Sequence, residues 1–324
     1  MNCSAALPGG ESVIRSVLPG ECSRGDNSPV TKRSLTIDDA ERGAQRVVLD
    51  GADGTPFPAL EWKSAGETKI NVLCIHGLGG AAADFGPLGR HLSQNGCRVR
   101  AVNLRGQGND PEPERRGHFL DPAGWRDDLE EFADSFPDKA PLVVVGESMG
   151  SLVAIDSIAH GALRPERLVL AAPVPELRAP VPGWAVTLVR SGAKIFPRLR
   201  FGPMRFVHGK TSIPRLTSDE DYMEYLRNIP HRVGGYTLEF LANFNGLMSK
   251  THHHAAHVQV PTLMLSAGRD VFIRAGQSRA FFEKLAAPEK EYELYPDSHH
   301  LLWHDVNRDE VLDRITRWVL GGVV

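Results

Sequence analysis

The stretch VVVGESMG, residues 143–150, places three β-branched residues directly before a Gly-x-Ser-x-Gly motif. An apolar pattern at helical spacing follows, formed by Met149, Leu152, Val153, Ile155 and Ile158. This succession predicts a strand, a sharp turn and a helix, the context in which a serine becomes an exposed nucleophile. Gly146 and Gly150 flank Ser148 where such a strained turn has no room for side chains. We therefore expect Ser148 to stand above a strand end, beside the first N–H groups of a helix.

Strand and helix patterns alternate along most of the chain. Short apolar runs predict strands at 70–75, 99–104, 142–145, 168–170, 261–266 and 292–295. Helical patterns occur at 85–95, 125–136, 275–285 and 309–319, and directly after Ser148. Two further strands, 46–49 and 59–62, flank a Gly-rich turn and predict an antiparallel hairpin at a sheet edge. The alternation predicts an α/β fold with a doubly wound, mostly parallel sheet and helices on both faces.

The composition of the chain changes at three positions, which predicts three regions, one of them in two parts. Residues 1–42 are rich in Gly, Pro, Ser and charge and predict a disordered or loosely held N-terminal extension. Residues 43–172 and 258–324 form the α/β core. The segment 173–257 is first Pro-rich and then carries helical patterns at 184–196, 220–227 and 236–248. We interpret it as a helical cap inserted after the strand at 168–172.

Composition and charge restrict the class of protein. A hydrophobic content of 41% in 324 residues supports a sizeable core, and a net charge of -3 argues against a nucleic-acid partner. Four cysteines are too few for a disulfide scaffold, and Cys74 and Cys97 fall in or beside predicted strands. No run resembles a signal peptide or a membrane span. We expect a soluble, cytoplasmic protein; peripheral contact with a membrane is compatible with the sequence, and the oligomeric state is left open.

Three residues in chain order predict nucleophilic catalysis. An acyl-transfer serine needs a base, a group that orients the base, and donors for the oxyanion. Ser148, Asp270 and His300 occur in the order Ser, acid, His, each after or near a predicted strand end. Asp270 could instead cap the next helix. His299 competes with His300 as the base by position, and we prefer His300, with His299 as a spacer or pocket residue.

The glycine-rich loop after the strand at 70–75 predicts the second oxyanion donor. The N–H of Met149 follows the nucleophile, and the N–H of Leu78 follows His76-Gly77. Phosphate binding is the alternative for such a loop. The loop lacks a Gly-x-x-x-x-Gly-Lys pattern and no acidic ribose partner follows, so we expect no nucleotide.

Other polar clusters receive simpler interpretations. His252, His253, His254 and His257 invite a metal hypothesis, because His253 and His257 share a helical face. A polar surface end of the insertion explains them better, and we predict no metal site. His304 is interpreted as a surface or supporting residue. The acidic positions of the helix at 125–136 are interpreted as a solvated face; they are Asp127, Asp128, Glu130 and Glu131.

With these motifs in place, the chain resembles the monoacylglycerol lipase and lysophospholipase branch of the α/β hydrolases. The resemblance covers roughly residues 47–319. It rests on HGLG at 76–79, NLRGQG at 103–108, GESMG at 146–150, GRD at 268–270 and SHH at 298–300. It implies the triad Ser148, Asp270 and His300, an oxyanion hole from Leu78 and Met149, and a helical cap over the site. The sequence departs from the family pattern at Gln107, where histidine is common, and at Asn109.

These expectations combine into a serine carboxylic-ester hydrolase without metal or organic cofactor, acting on monoacylglycerol or lysophospholipid-type esters. A peptidase, a thioesterase, an acyltransferase and a non-catalytic binding protein are the alternatives. The apolar stripe of the cap either touches a membrane and admits an acyl chain, or packs on the core. It comprises Trp184, Val186, Leu188, Val189, Ile195 and Phe196, accompanied by Arg190, Lys194 and Arg198.

Overall fold

A nine-stranded sheet organises the computed structural model, which describes residues 14–16, 35–119, 121–201, 213–229, 231 and 233–321. Its strands are β1 (Ile14–Ser16), β2 (Gln45–Asp50), β3 (Pro56–Trp62), β4 (Ile70–Ile75), β5 (Cys97–Val102), β6 (Leu142–Glu147), β7 (Arg167–Ala171), β10 (Thr262–Ala267) and β11 (Lys290–Tyr295). A separate antiparallel ribbon consists of β8 (Arg200–Phe201) and β9 (Tyr236–Thr237).

The strand order across the sheet is β1-β11-β10-β7-β6-β4-β5-β3-β2. All neighbours are parallel except β3, which pairs antiparallel with both β5 and β2. The predicted hairpin is therefore confirmed, and it forms one edge of the sheet. The doubly wound, mostly parallel sheet is confirmed as well. Strand β6, which leads into Ser148, lies near the centre, between β4 and β7.

Helices cover both faces of the sheet. They are α1 (Ile37–Ala40), α2 (Gly86–Gln94), α3 (Pro122–Asp134), α4 (Met149–Ala159), α5 (Gly183–Ile195), α6 (Glu220–Asn228), α7 (Leu238–Ala255), α8 (Ala275–Lys284) and α9 (Arg308–Val319). Within β4, Leu73 and Ile75 join the core that contains α3 and α4. Val72 and Cys74 join the core that contains α2 and α9. Burial of both sets explains why this strand is a continuous apolar run and not an alternating one.

Predicted and observed elements differ mainly at their ends. The strand expected at 99–104 begins at Cys97, because Cys97 pairs with Ile70 at the start of β4. Gly96 closes the preceding helix with a φ of +87°, which a residue with a side chain adopts only with strain. Cys74 and Cys97 are buried free thiols, as their predicted places in or beside strands suggest.

The segment between β7 and β10 contains α5, the β8–β9 ribbon, α6 and α7. The three predicted helices are present, whereas the ribbon was not predicted, since two-residue strands leave no periodic pattern. Helix α5 packs against α7, and Gly192 approaches Leu238 closely. No helix in the described part of the chain is long and apolar enough to cross a membrane. Most of the predicted 1–42 extension lies outside the described residues; β1, α1 and the residues around α1 are its described parts.

One interpretation of α3 is wrong. Asp128 was assigned to a solvated acidic face, but its side chain is buried. Both of its carboxylate oxygens accept hydrogen bonds from Arg105, at 2.8 and 2.9 Å. Asp127, its neighbour, is exposed as expected. Arg105 also binds Asp53 in the hairpin turn, so this buried cation joins the edge hairpin to α3.

Candidate active site

Ser148 occupies a strained turn between β6 and α4. Its φ of +53° and ψ of -117° belong to a backbone region that residues with a side chain rarely adopt. A Cβ at position 150 would lie 2.0 Å from the carbonyl oxygen of Ile75, and one at position 146 would lie 2.6 Å from the backbone of Ser151. Both glycines are therefore required by close packing. The turn leaves Ser148 partly exposed.

Asp270 and His300 lie together past the carboxyl ends of two neighbouring strands. Asp270 follows β10, and His300 lies in the loop after β11. The Nδ1 atom of His300 is 2.7 Å from Oδ2 of Asp270, and the two residues are 3% and 1% exposed. The other carboxylate oxygen of Asp270 accepts the N–H of Phe272 at 2.8 Å. With Nδ1 engaged, the Nε2 atom of the imidazole is left for another partner.

His299 has a different carboxylate partner. Its Nδ1 lies 3.0 Å from Oδ2 of Asp305, which also accepts its backbone N–H. The second oxygen of Asp305 accepts the backbone N–H of Ser218 at 2.8 Å. Asp305 thus joins His299 to the segment before α6, whereas His300 faces Asp270.

The loop after β4 lies against the serine. A Cβ at Gly77 would be 3.1 Å from Cβ of Ser148 and 3.6 Å from its Oγ. Gly79 has a φ of +72°, and its N–H donates to Oε1 of Gln107 at 2.9 Å. The N–H of Gly80 donates to the carbonyl of Gly77. These contacts fix the turn that carries the N–H of Leu78. The N–H of the other candidate donor, Met149, has no acceptor within α4, because it is the first of the helix.

Gln107 and His76 are supporting residues whose roles sequence analysis missed. Gln107 is fully buried and holds Gly79, while its Nε2 has no hydrogen-bond partner among the described residues. His76 accepts the N–H of Leu104 at Nε2, and its Nδ1 lies 2.8 Å from the carbonyl of Gly77. Burial lowers the pKa of His76 to about 4, so the ring is neutral at pH 7 and donates from Nδ1. It therefore ties the ends of β4 and β5 together beneath the loop.

Buried acidic groups lie behind the serine. Oδ2 of Asp84 accepts the N–H of Ala81 at 2.9 Å, and burial raises the pKa of Asp84 to about 6. Burial also raises the pKa of Glu147, the residue before Ser148, well above its usual value, and Asp84 adds to that effect. Tyr222 from α6 reaches Asp84 with its hydroxyl at 3.4 Å. Burial of the carboxyl group in GESMG therefore favours its neutral form.

His304 is not a surface residue. Its ring is buried and stacks on Tyr222 with ring centres 3.7 Å apart. Its Nε2 donates to the backbone carbonyl of Asp84 at 2.7 Å, and burial lowers the pKa of His304 to about 3. Of the two interpretations that the sequence allowed, His304 is therefore the supporting residue, since it holds Asp84 and Tyr222.

Comparison with known proteins gives the chain its relatives. The family model described as serine aminopeptidase, S33, matches residues 66–307. Phospholipase YtpA of Bacillus subtilis (strain 168) is 26% identical over 263 residues, which cover 77% of this chain and 94% of that protein. The monoacylglycerol lipase of Mycolicibacterium smegmatis is 22% identical over 289 residues, which cover 84% of this chain and 95% of that protein.

Solved structures share the architecture. A crystal structure of a soluble variant of monoglyceride lipase from Saccharomyces cerevisiae matches with a TM-score of 0.73 at 21% identity. The match covers 90% of this chain and 98% of the yeast chain. A likeness at this identity establishes the α/β-hydrolase fold and nothing more specific about the segment between β7 and β10.

Proposed function

Because this chain belongs to the serine aminopeptidase S33 family and has the α/β-hydrolase fold, we propose that it hydrolyses carboxylic esters of lipids through Ser148, Asp270 and His300. Ser148 Oγ attacks the acyl carbonyl while Nε2 of His300 takes its proton. Asp270 holds the imidazole in the required tautomer and stabilises its charged form. The N–H groups of Leu78 and Met149 donate to the oxyanion. His300 then protonates the leaving alcohol, and water hydrolyses the acyl-enzyme in a second cycle.

The buried hydrogen bond between His300 and Asp270 is the observation that carries this proposal. A catalytic base needs a partner that fixes its tautomer, and His300 has one at 2.7 Å. His299, the competing candidate, is already paired with Asp305, which itself accepts the N–H of Ser218. The strain at Ser148 supports the assignment of the nucleophile, because strained residues cluster at active sites.

The surface of α5 supports a lipid substrate. The outer row of its apolar stripe is exposed, with Trp184 73% and Leu188 66% accessible, and Ile195 and Phe196 are exposed too. The inner row, Val186 and Val189, is partly buried toward α7. The stripe therefore both packs inward and presents apolar side chains to solvent. The names of a phospholipase and a monoacylglycerol lipase among the relatives favour lipid monoesters as substrates.

Active-site labelling tests the catalytic assignment. We expect a fluorophosphonate probe to label the wild-type chain at Ser148, and Ser148→Ala to lose both labelling and hydrolysis of p-nitrophenyl esters. Ser191→Ala, at an exposed serine of α5, is the matched control and should keep both. Retained turnover in Ser148→Ala would refute the proposal.

A pair of histidine variants tests the choice of base. We expect His300→Ala to lower kcat/KM for esters by about 10⁴-fold or more, and His299→Ala to lower it far less. The reverse order would move the base to His299. Measuring monoacylglycerols, lysophospholipids and aminoacyl p-nitroanilides side by side distinguishes an esterase from an aminopeptidase, the second candidate that the family description favours.

Membrane contact through α5 is the finer part of the proposal. Arg190 and Lys194 on this helix provide cationic groups beside the apolar row, a combination that favours anionic bilayers. We expect Trp184→Ser/Leu188→Ser to reduce co-sedimentation with phosphatidylglycerol vesicles while hydrolysis of a soluble short ester persists. Val306→Ser, at an exposed apolar residue outside α5, should bind as the wild type does. If the α5 double variant binds the vesicles as well as Val306→Ser does, α5 is not the membrane contact.

A further inference from the structure

Three metal-ligating side chains meet at the junction of α4 and α7, away from the triad. Asp156 lies on α4, and His160 is the residue that ends this helix, one turn later. His254 lies in the last turn of α7. One ligand atom from each of the three residues lies within 4.8 Å of the other two. The cluster was not visible in the sequence, because nearly a hundred residues separate His160 from His254.

The ligand atoms of Asp156 and His254 are spaced nearly as two ligands of a tetrahedral metal site are. Nδ1 of His254 is 3.1 Å from Oδ1 of Asp156. Ligand atoms about 2.1 Å from a zinc ion stand roughly 3.4 Å apart in tetrahedral geometry. Nδ1 of His160 lies 3.7 Å from Oδ1 of Asp156 and 2.8 Å from the backbone carbonyl of the same residue. The His160 ring is largely exposed and can rotate inward.

His254 has an unsatisfied nitrogen at this place. Its side chain is 11% exposed, and its buried Nδ1 has no hydrogen-bond partner among the described residues. The nearby oxygen of Asp156 is at hydrogen-bond distance but not in hydrogen-bond alignment. A buried nitrogen without a partner is costly. A cation that receives both the nitrogen and the carboxylate would remove that cost.

The surroundings select the kind of cation. Oδ2 of Asp156 binds Arg126 at 2.7 Å, which leaves Oδ1 toward the two imidazoles. A carboxylate ligand held by a second residue is usual in metal sites. One carboxylate paired with an arginine provides too little negative charge for calcium or magnesium, which require several oxygen ligands. Two imidazoles and one carboxylate suit zinc.

We propose that Asp156, His160 and His254 bind a Zn²⁺ ion, with a water as fourth ligand. The ion would join α7, the last helix before β10, to α4, the helix that follows Ser148. The site is independent of the proposed ester hydrolysis, and its test measures metal binding and stability, not turnover.

The test is zinc titration of the full chain after removal of metal by a chelator. Equilibrium dialysis with metal analysis should find one tightly bound Zn²⁺ per chain. Saturating Zn²⁺ should raise the thermal unfolding midpoint by on the order of 5 °C. His254→Ala should abolish both effects. His160→Ala should also abolish them, and because this ring is largely exposed, the variant keeps the test valid should His254→Ala fold poorly.

The exposed pair His253 and His257 provides the matched control. These rings lie 4.8 Å apart on one face of the same helix end and could bind zinc without the buried cluster. The double variant His253→Ala/His257→Ala should bind Zn²⁺ as the wild type does. Loss of binding in this control with retention in His160→Ala and His254→Ala would overturn the proposal, as would the absence of binding in the wild type.

Discussion

Asp84 makes a pH-dependent contribution to stability that one substitution can remove. Its carboxyl group lies beneath the loop that carries Leu78, accepts the N–H of Ala81 and is approached by the hydroxyl of Tyr222. Burial raises its pKa from 3.8 to about 6. Asparagine has nearly the same shape and cannot ionise. It can accept from Ala81 and donate to Tyr222, so Asp84→Asn removes the charge while retaining the contacts.

The sign of the effect follows from proton binding in the two states. Below pH 3.8 the carboxyl is protonated in both states and contributes no pH dependence. Between pH 3.8 and about 6 the folded chain binds a proton that the unfolded chain has released. The free energy of unfolding therefore falls as the pH rises through this range, and the whole loss is present above it. A pKa difference of about two pH units corresponds to about 3 kcal/mol.

We therefore expect Asp84→Asn to exceed the wild type in free energy of unfolding by up to about 3 kcal/mol at pH 8, and by almost nothing near pH 4. Urea unfolding at pH 4, 6 and 8 measures the difference. Asp127→Asn, at an exposed carboxyl on α3, is the control and should change stability by less than about 0.5 kcal/mol at each pH. The reasoning would be refuted if the difference between Asp84→Asn and the wild type were the same at every pH. It would also be refuted if the wild type were more stable than Asp84→Asn at pH 8.

Two further predictions test packing near the site by unfolding measurements with matched controls. Gly150→Ala should destabilise the fold by about 3 kcal/mol or more, because its Cβ would meet a backbone carbonyl of β4 at 2.0 Å. Gly246→Ala, in the interior of α7 with open space around it, should instead stabilise by about 0.5–1 kcal/mol, and a similar loss in both variants would contradict the argument. Asp128→Ala should cost about 3 kcal/mol because it leaves Arg105 buried without its main partner. Asp127→Ala should change the free energy of unfolding little. Equal losses for the two aspartates would show that the buried pair of Asp128 and Arg105 contributes nothing to stability.

Local patterns were sufficient to predict the elements that carry the site. β-Branched runs predict β4 and β6 because these strands are buried on both faces, and Gly146 and Gly150 predict the turn because no side chain fits there. The pairing of His300 with Asp270 followed from the order of the residues and their places at strand ends, and the structure brings the two together. The catalytic roles of these residues remain predictions that the labelling and kinetic experiments test.

Features that depend on distant partners could not be predicted. Gln107 holds Gly79 across a gap of 28 positions, and nothing in either local sequence indicates that contact. His254 and Asp156 lie nearly a hundred positions apart, on two helices, α7 and α4, that pack together in the fold. His299 and His300 are adjacent and chemically identical, so only the three-dimensional positions of Asp305 and Asp270 separate their roles.

The wrong interpretation of Asp128 has a different cause, because the sequence does contain the pattern that indicates burial of this side chain. Asp128 lies three residues after Trp125 and four before Phe132, which places it on the same helical face as these buried aromatic residues. Asp127 is one position away and faces solvent. A charged residue on a buried face requires a partner of opposite charge. The period of α3 therefore predicts that Asp128 pairs with a buried cation, and only the fold identifies that cation as Arg105.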